Sequence, residues 1–409
     1  MNEEKVNRAK GRLRLSKSKL TTLLKITNSI NENSSRDQLF GILQDVLIQD
    51  LSIGKFVLYT FEVEWKIALI QGVENQNIEN VDILDISGRY SKIESLTNEK
   101  QAGLSEFDIV IPVSHKEIPL AYLFLADIED SKIEISPIIK HLQFIQTLAN
   151  IIVVALENKR LNKEYIKQIA FQKELELAQN MQSLLFPRKL PNNAELKVDA
   201  FYLPHSEVGG DYYDVVSLQN GTTALCIADV SGKGMPAALL MANFQANLRA
   251  LLNVTESIEE LVKLCNKKVI ESANYEKFIT FFIAIFDPKK KELTYLNAGH
   301  QPAILLHSNT TRLLTKGCTV LGMFDELPNI ETESVKLDQN SILACFTDGL
   351  TELETEKGIQ LESEGVEELI AKATDIDTMG NSLKKEVERL SSISEASDDI
   401  TWLIARFLS

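Results

Sequence analysis

Two spacings of apolar positions alternate along the chain. From about residue 20, "LTTLLKITNSINENSSRDQLFGILQDVLIQDL" places them at helical intervals on either side of a polar turn at Asn31 to Arg36. Short runs of strand character follow: "KFVLYTF", "WKIALIQG", "DIVIPVS" and "IPLAYLFLAD". Helical spacing returns in "SPIIKHLQFIQTLANIIVVALENKRL", with Pro137 near the start, where a missing amide N–H does no harm.

A charged stretch over residues 157–189 comes next. Leu161, Tyr165 and Ile169 form one apolar line; Leu175, Ala178, Met181 and Leu185 form another, slightly rotated. Intervals of three and four resemble a short, imperfect coiled coil, so the stretch is expected to be a helical connector that pairs with a second copy. Pro187 and Pro191 are expected to stop it. Beyond residue 190 the chain is strand-rich. "FITFFIAIFDPKKKELTYLNAGH" predicts a hairpin turning at Asp287 to Lys291, and "SILACFTDG" and "DITWLIARFL" are apolar strands that meet acidic residues at one end. Helices are predicted over Pro236 to Leu252, Ser257 to Ala273 and Asn381 to Leu390. The expected class is α+β, with helices packed outside sheets. The expected domains are a basic helix or tail (1–20), a mixed α/β domain (21–156), the connector (157–189) and a second domain (190–409).

A chain of 409 residues is long enough for two or three cores. With 44% hydrophobic and 25% charged residues, its composition is that of a soluble globular protein. The formal net charge of -15 argues against broad nucleic-acid binding, which depends on attraction to phosphate. No C-x-x-C pair occurs among the cysteines, which disfavours a zinc knuckle or a redox pair; Cys226 and Cys345 lie in apolar runs, as buried thiols do. The opening "MNEEKVNRAKGRLRLSKSK" has no apolar signal-peptide core, and the run Ile151 to Leu156 is too short to span a bilayer. A cytoplasmic protein without a transmembrane segment is expected.

Candidate chemistry gathers at strand ends. "EVGGDYYDVV" puts Asp211 after two glycines and before a strand. "CIADVSG" ends an apolar strand on Asp229, "ACFTDGL" ends another on Asp348, and "SDDITWLIARF" puts Asp398 and Asp399 just before a third. A single Asp-Gly at a strand end reads first as a turn. Four segments that each deliver a carboxylate beside a buried strand point instead to a cation site. Two bare carboxylates about 5 Å apart repel by roughly 3 kcal/mol at an effective dielectric near 20. Hard oxygen donors suit Mg²⁺ or Mn²⁺.

The loop "SGKG" after Asp229 invites a second reading, as a phosphate-binding loop. The G-x-x-x-x-G-K-[ST] pattern fails twice: Ile227 stands where the first glycine belongs, and Gly234 where a hydroxyl belongs. The glycines then serve a tight turn beside a metal site, and Lys233 is expected to face solvent.

Taken together and in order, "EVGGDYYDVV", "ADVSGKGMPAALLMA", "NAGHQPAILL", "LGMFDE", "FTDGLTE" and "SDDITWLIARF" resemble the SpoIIE-like bacterial phosphatases. These belong to the PPM (protein phosphatase 2C-like) class of metal-dependent serine/threonine phosphatases. The resemblance covers about residues 175–409 and implies an αββα sandwich holding two Mn²⁺ or Mg²⁺ ions. By position, it implies that Asp229 bridges the two ions, with the backbone carbonyl of Val230 on one of them. Asp211 helps hold that ion directly or through its bound water. Asp348 and Asp398 complete the other site, and Asp399 is the second choice of its pair. It implies hydrolysis by metal-activated water with no covalent phosphoenzyme, and the chain carries no Cys-x5-Arg motif. Gly210, Gly232, Gly349 and His205 are candidates for phosphate or turn positions.

Two features of eukaryotic members are absent. Val230 and Ser231 follow Asp229 where those enzymes carry a histidine, and "LPHSEVGG" has no phosphate-binding arginine. The general acid and the phosphate grip are therefore unassigned; His300, in "NAGHQP", is expected to order a turn. Residues 21–156 resemble a GAF domain, without a bilin-attaching cysteine or an NKFDE pattern. The whole is expected to be a signalling phosphatase acting on a phosphorylated regulatory protein, such as a STAS-domain anti-anti-sigma factor. It would be regulated by the GAF-like domain and dimeric through that domain and the connector. The alternative is a catalytically weak phosphoprotein-binding regulator on the same fold.

Overall fold

Ser35 separates the first two helices. Its hydroxyl accepts from the Gln38 N–H, and the Gln38 side chain accepts from the Ser35 N–H. This reciprocal capping box starts α2 (Arg36–Asp45) directly after α1 (Asn2–Asn31), and a π-helical turn (Val46–Asp50) extends α2. These elements come from a computed structural model that describes residues 2–73, 78, 83, 88–96, 104–116, 118–127, 136–307, 310–355, 358–372, 376–392 and 396–408. The chain divides into two compact units, Met1–Ile169 and Ala170–Ser409.

The first unit is built on an antiparallel sheet of β1 (Lys55–Phe61), β2 (Trp65–Gln71), β3 (Glu94–Ser95), β4 (Ile109–His115) and β5 (Ile118–Ala126), in the order β2-β1-β5-β4-β3. The four runs read as strands are four of these. Alternation of side chains gives the sheet two apolar faces. Phe56, Leu58, Leu123 and Leu125 pack against α1, α2 and the start of α3 (Pro137–Ser183). Val57, Tyr59, Tyr122 and Phe124 pack against Tyr90, Leu104 and Phe107.

The expected closing helix and connector are one uninterrupted helix, α3, which ends at Ser183, four residues before Pro187. By length and hydropathy a stretch of α3 is apolar enough to cross a membrane, and 44% of that stretch is buried inside the protein. Leu161, Tyr165 and Ile169 are exposed. In the second line Leu175, Ala178 and Leu185 are half-buried. Met181 faces outward at 70% exposure, and the buried position beside it belongs to Gln182.

The second unit stacks two sheets between two helical layers. One sheet runs β13 (Gly317–Cys318), β10 (Glu292–Ala298), β9 (Ile279–Asp287), β8 (Thr223–Val230), β7 (Tyr212–Ser217), with β14 (Glu333–Lys336) also on β10. The other runs β12 (Thr310–Leu314), β11 (Ala303–His307), β15 (Ile342–Phe346), β16 (Ile400–Phe407), β6 (Leu196–Leu203). The β9–β10 hairpin turns where the sequence placed it. Leu343, Cys345, Leu403 and Ala405 point into the core shared with the first sheet and with α4 (Met235–Leu251) and α5 (Ile258–Ala273). Their neighbours Ala344, Phe346, Trp402 and Ile404 point the other way, onto α7 (Glu362–Lys372) and α8 (Ile376–Ser391). A four-residue helix, α6 (Asp348–Thr351), follows β15. Helices α6 and α7 were not foreseen. Cys226, Cys265 and Cys345 are buried and Cys318 is half-buried; all four are free thiols.

Candidate active site

The strand ends of the second unit bring four acidic segments together. Asp211 lies one residue before β7, Asp229 on the last turn of the pleat in β8, Asp348 at the start of α6, and Asp398 and Asp399 before β16. Asp211 is 1% exposed. Its Oδ2 accepts from the hydroxyl of Thr347 at 2.8 Å and from that of Thr401. Burial raises its carboxyl well above the usual range, Asp229 and Asp399 add to this, and the two threonine hydroxyls work against it. Asp229 is pushed up to about 7 by burial and by the charges of Asp348, Asp398 and Asp399. Asp348 is also raised, by burial, Glu352 and Asp398.

Asp398 and Asp399 are adjacent but behave differently. Asp399 is spent on the backbone. Its Oδ1 accepts from the His205 N–H at 2.8 Å and its Oδ2 from the Gly210 N–H at 2.6 Å. Asp398 is part-exposed; its Oδ1 accepts from the Asp399 N–H, and its Oδ2 pairs with Lys233 Nζ at 3.1 Å. Lys233 also donates to the Ser397 carbonyl, so it bridges to the opposite acidic segment instead of facing solvent freely.

The glycines allow this convergence. A side chain on Gly209 would run into the Asp399 carboxylate and the Tyr202 hydroxyl, and one on Gly349 into the Asp399 carbonyl. One on Gly210 would stand 2.9 Å from the Val230 carbonyl oxygen. Gly232 (φ 86°) and Gly234 (φ 70°) turn the chain from β8 into α4, with Pro236 in the first helical turn.

Both candidate histidines have structural partners. His205 Nδ1 meets the Ala396 carbonyl at 2.8 Å. The His300 N–H donates to Asn297 Oδ1, Asn297 Nδ2 donates back to the His300 carbonyl, and His300 Nδ1 meets the Thr280 hydroxyl at 2.8 Å. Burial lowers the His300 imidazole to about 4, with the Phe346 carbonyl acting the other way, so the ring is neutral at pH 7. His300 lines a cavity of about 260 Å³ with Asp229, Thr280, Gln301 and Asp348. Asp214, the second acid of "GDYYDVV", belongs elsewhere: it is fully buried in a two-pronged ion pair with Arg249.

Among the described residues, no three His, Cys, Asp or Glu side chains close around a point as a finished metal cage would. The carboxylates stand within electrostatic reach of one another. Their donor chemistry fits a divalent cation: hard oxygens, a surplus of negative charge, and a central Asp229 whose ionisation its neighbours oppose.

Residues that position the acids were not among the sequence candidates. Gln182 Nε2 donates to the Gly209 carbonyl at 2.7 Å, and its Oε1 accepts from the Gly209 N–H. Thr347 and Thr401 hold Asp211. The only signal for them in the sequence is adjacency: a polar residue inside an apolar line, and hydroxyls beside strand-end acids.

Residues 219–408 match the family model of Stage II sporulation protein E (SpoIIE). This part of the chain is similar to SpoIIE-like phosphatase domains of the PPM type. The chain is 29% identical over 237 residues to the phosphoserine phosphatase RsbU of Bacillus subtilis, covering 57% of this chain and 70% of that protein. It is 26% identical over 183 residues to the phosphoserine phosphatase RsbP of the same organism, covering 44% of this chain and 45% of RsbP. It is 29% identical over 225 residues to the protein IcfG of Synechocystis, covering 47% of this chain and only 35% of IcfG. The chain thus spans less than half of the latter two relatives. In fold, it is similar to the SiaA-PP2C domain of Pseudomonas aeruginosa, with a TM-score of 0.51 at 18% identity over 59% of this chain and 98% of that one. PPM-type phosphatases are metal-dependent as a class.

Proposed function

We propose that this protein is a metal-dependent protein serine/threonine phosphatase of bacterial signalling. The observation that carries the reading is Asp229, a strand-end carboxylate raised to about 7 by burial and by three other acids from two other segments. Two Mg²⁺ or Mn²⁺ ions would be held by Asp229 between them, by the Val230 carbonyl and Asp211 on one side, and by Asp348 and Asp398 on the other. Two features favour Asp398 over Asp399: both Asp399 oxygens already accept backbone N–H groups, and Asp398 meets only one such group and a lysine.

When bound, such ions supply an activated water and neutralise phosphoryl charge. The chain's own residues prepare for this. Thr347 and Thr401 fix the Asp211 carboxylate, Asp399 fixes the Gly209–Asp211 turn, and Asp229 releases its proton when positive charge arrives. His300 stays neutral and holds the Asn297–His300 turn at the cavity.

The names of RsbU and RsbP support phosphoserine as the group hydrolysed; its carrier is proposed to be a regulatory protein such as a STAS-domain anti-anti-sigma factor. Residues 21–156 are proposed to be a GAF-like regulatory domain, residues 157–189 the connector and residues 190–409 the catalytic domain. The exposed Leu161, Tyr165 and Ile169 support pairing through α3; a cytoplasmic location and a share of the GAF-like domain in the homodimer belong to the same proposal. Gln182 gives the connector its handle on the site, because it ends α3 and grips the turn that carries Asp211.

The test is Mn²⁺-dependent hydrolysis of p-nitrophenyl phosphate and of phosphoserine proteins. Asp229→Asn is expected to abolish turnover while the metal-free protein still melts cooperatively. A wild-type protein that binds phosphoproteins without hydrolysing them would replace this reading with that of a binding regulator.

A further inference from the structure

The phosphatase reading leaves the substrate's phosphoryl group without an assigned protein cation, since "LPHSEVGG", just before Asp211, has no arginine. We propose that Lys277 is that cation, a phosphate-gripping residue that lies over Gly232; the proposal rests on the phosphatase reading for its substrate.

The backbone places Lys277 firmly. Strands β8 and β9 pair Asp229 with Thr280 and Val230 with Ile279. Just past the end of β8, the Ser231 N–H donates to the Phe278 carbonyl at 3.0 Å, and the Ser231 hydroxyl accepts from the Phe278 N–H at 3.0 Å. The loop that leaves Asp229 is thereby tied to the residue next to Lys277. The ammonium of Lys277 comes to rest against Gly232, in the space a side chain there would fill. Gly232 is favoured for its positive φ, and its lack of a side chain leaves the room that the amine takes.

Charge separates Lys277 from Lys233. Lys233 is engaged by Asp398 and the Ser397 carbonyl. Lys277 is half-buried, and among the described residues no carboxylate or carbonyl partner satisfies it. An ammonium resting over Gly232, three residues after Asp229 on the loop that leaves β8, suits a phosphate monoester dianion through its three N–H donors and its positive charge.

The experiment compares wild type with Lys277→Met, Lys277→Arg and Lys290→Met, a lysine in the turn at the far end of β9. Inorganic phosphate is the probe, with Mg²⁺ present, read as a thermal shift and as inhibition of p-nitrophenyl phosphate hydrolysis. Lys277→Met is expected to lose the phosphate-dependent shift and to weaken phosphate inhibition about tenfold or more. Its metal concentration dependence should remain wild-type, Lys277→Arg should restore most of the effect, and Lys290→Met should behave as wild type. A wild-type phosphate shift in Lys277→Met, or no shift in the wild type, overturns the proposal. A Lys277-dependent shift in a protein without turnover would sink the phosphatase reading and leave the phosphate site standing.

Discussion

Gln182 and Gly209 are joined by two hydrogen bonds, one from the Gln182 amide nitrogen to the Gly209 carbonyl at 2.7 Å and one from the Gly209 N–H to the amide oxygen at 3.3 Å. The amide is buried, so both bonds are made away from water. They attach the end of a 47-residue helix to the turn that delivers Asp211. Gln182→Ala should leave a buried carbonyl and N–H unpaired, at a cost of about 1–3 kcal/mol. The expected result is a lower melting temperature together with weaker Mn²⁺ activation. Gln182→Glu should be worse than Ala, because a carboxylate cannot donate to the Gly209 carbonyl. Equal Mn²⁺ activation in all three proteins would show that the helix end does not position Asp211.

Asp398→Asn and Asp399→Asn should separate the two neighbours. Asp399→Asn turns an amide NH₂ toward the N–H of His205 or Gly210, and the metal-free protein should lose about 2–3 kcal/mol. Asp398 is part-exposed, and Asp398→Asn should melt near wild type without metal but need more Mn²⁺ for half-maximal activity. Urea melts in chelator and Mn²⁺ titrations of both variants check this; a larger stability loss for Asp398→Asn would reverse the assignment.

The acid cluster should give the metal-free protein a distinctive pH dependence. Asp229 binds its proton more tightly folded, at about 7, than unfolded, near 3.8. The folded state therefore holds more protons between those values, and this group's contribution falls as pH rises through that window. His300 has the opposite sign: its folded value is near 4 against 6.5 unfolded, so its contribution is complete above 6.5 and is lost as pH falls toward 4. Asp229→Asn in chelator should melt above wild type at pH 8, by about 3–6 °C, with the gap closing toward pH 4. Melting curves at pH 4, 6 and 8 decide it, and a wild-type advantage at pH 8 would count against the repulsion.

Dimerisation through α3 is open to a charge test. Tyr165→Glu combined with Ile169→Glu should shift the protein to monomer by light scattering, with no loss of the catalytic domain's melting transition. A dimer that survives both changes would place the interface elsewhere.

Strand-end acids were legible in the sequence because each sits where an apolar run stops, and burial of the run fixes where the acid must emerge. The β9–β10 hairpin and the polar turn at Asn31 to Arg36 were legible for the same local reason. Other features depend on distant partners. The division of labour between Asp398 and Asp399 is set by the N–H groups of His205 and Gly210, nearly two hundred residues away. Met181 and Gln182 fit the helical line about equally by spacing, and only the turn at Gly209 selects the glutamine. Helix α7 begins in "LESEGVEEL", where a glycine and four glutamates conceal its apolar face; burial of Val366 and Ile370 on the second sheet makes it a helix.

The four free thiols have a consequence for the signals this protein can receive. Burial raises all of them, Cys265 to about 12 and Cys318 to about 11, with Cys226 and Cys345 also above their ordinary value. Peroxide reacts with thiolates, and near neutral pH these side chains supply almost none. Oxidation of these thiols should therefore be slow in the folded domain, and a thiol-based redox input would have to arrive through a partner, since residues 1–169 carry no cysteine.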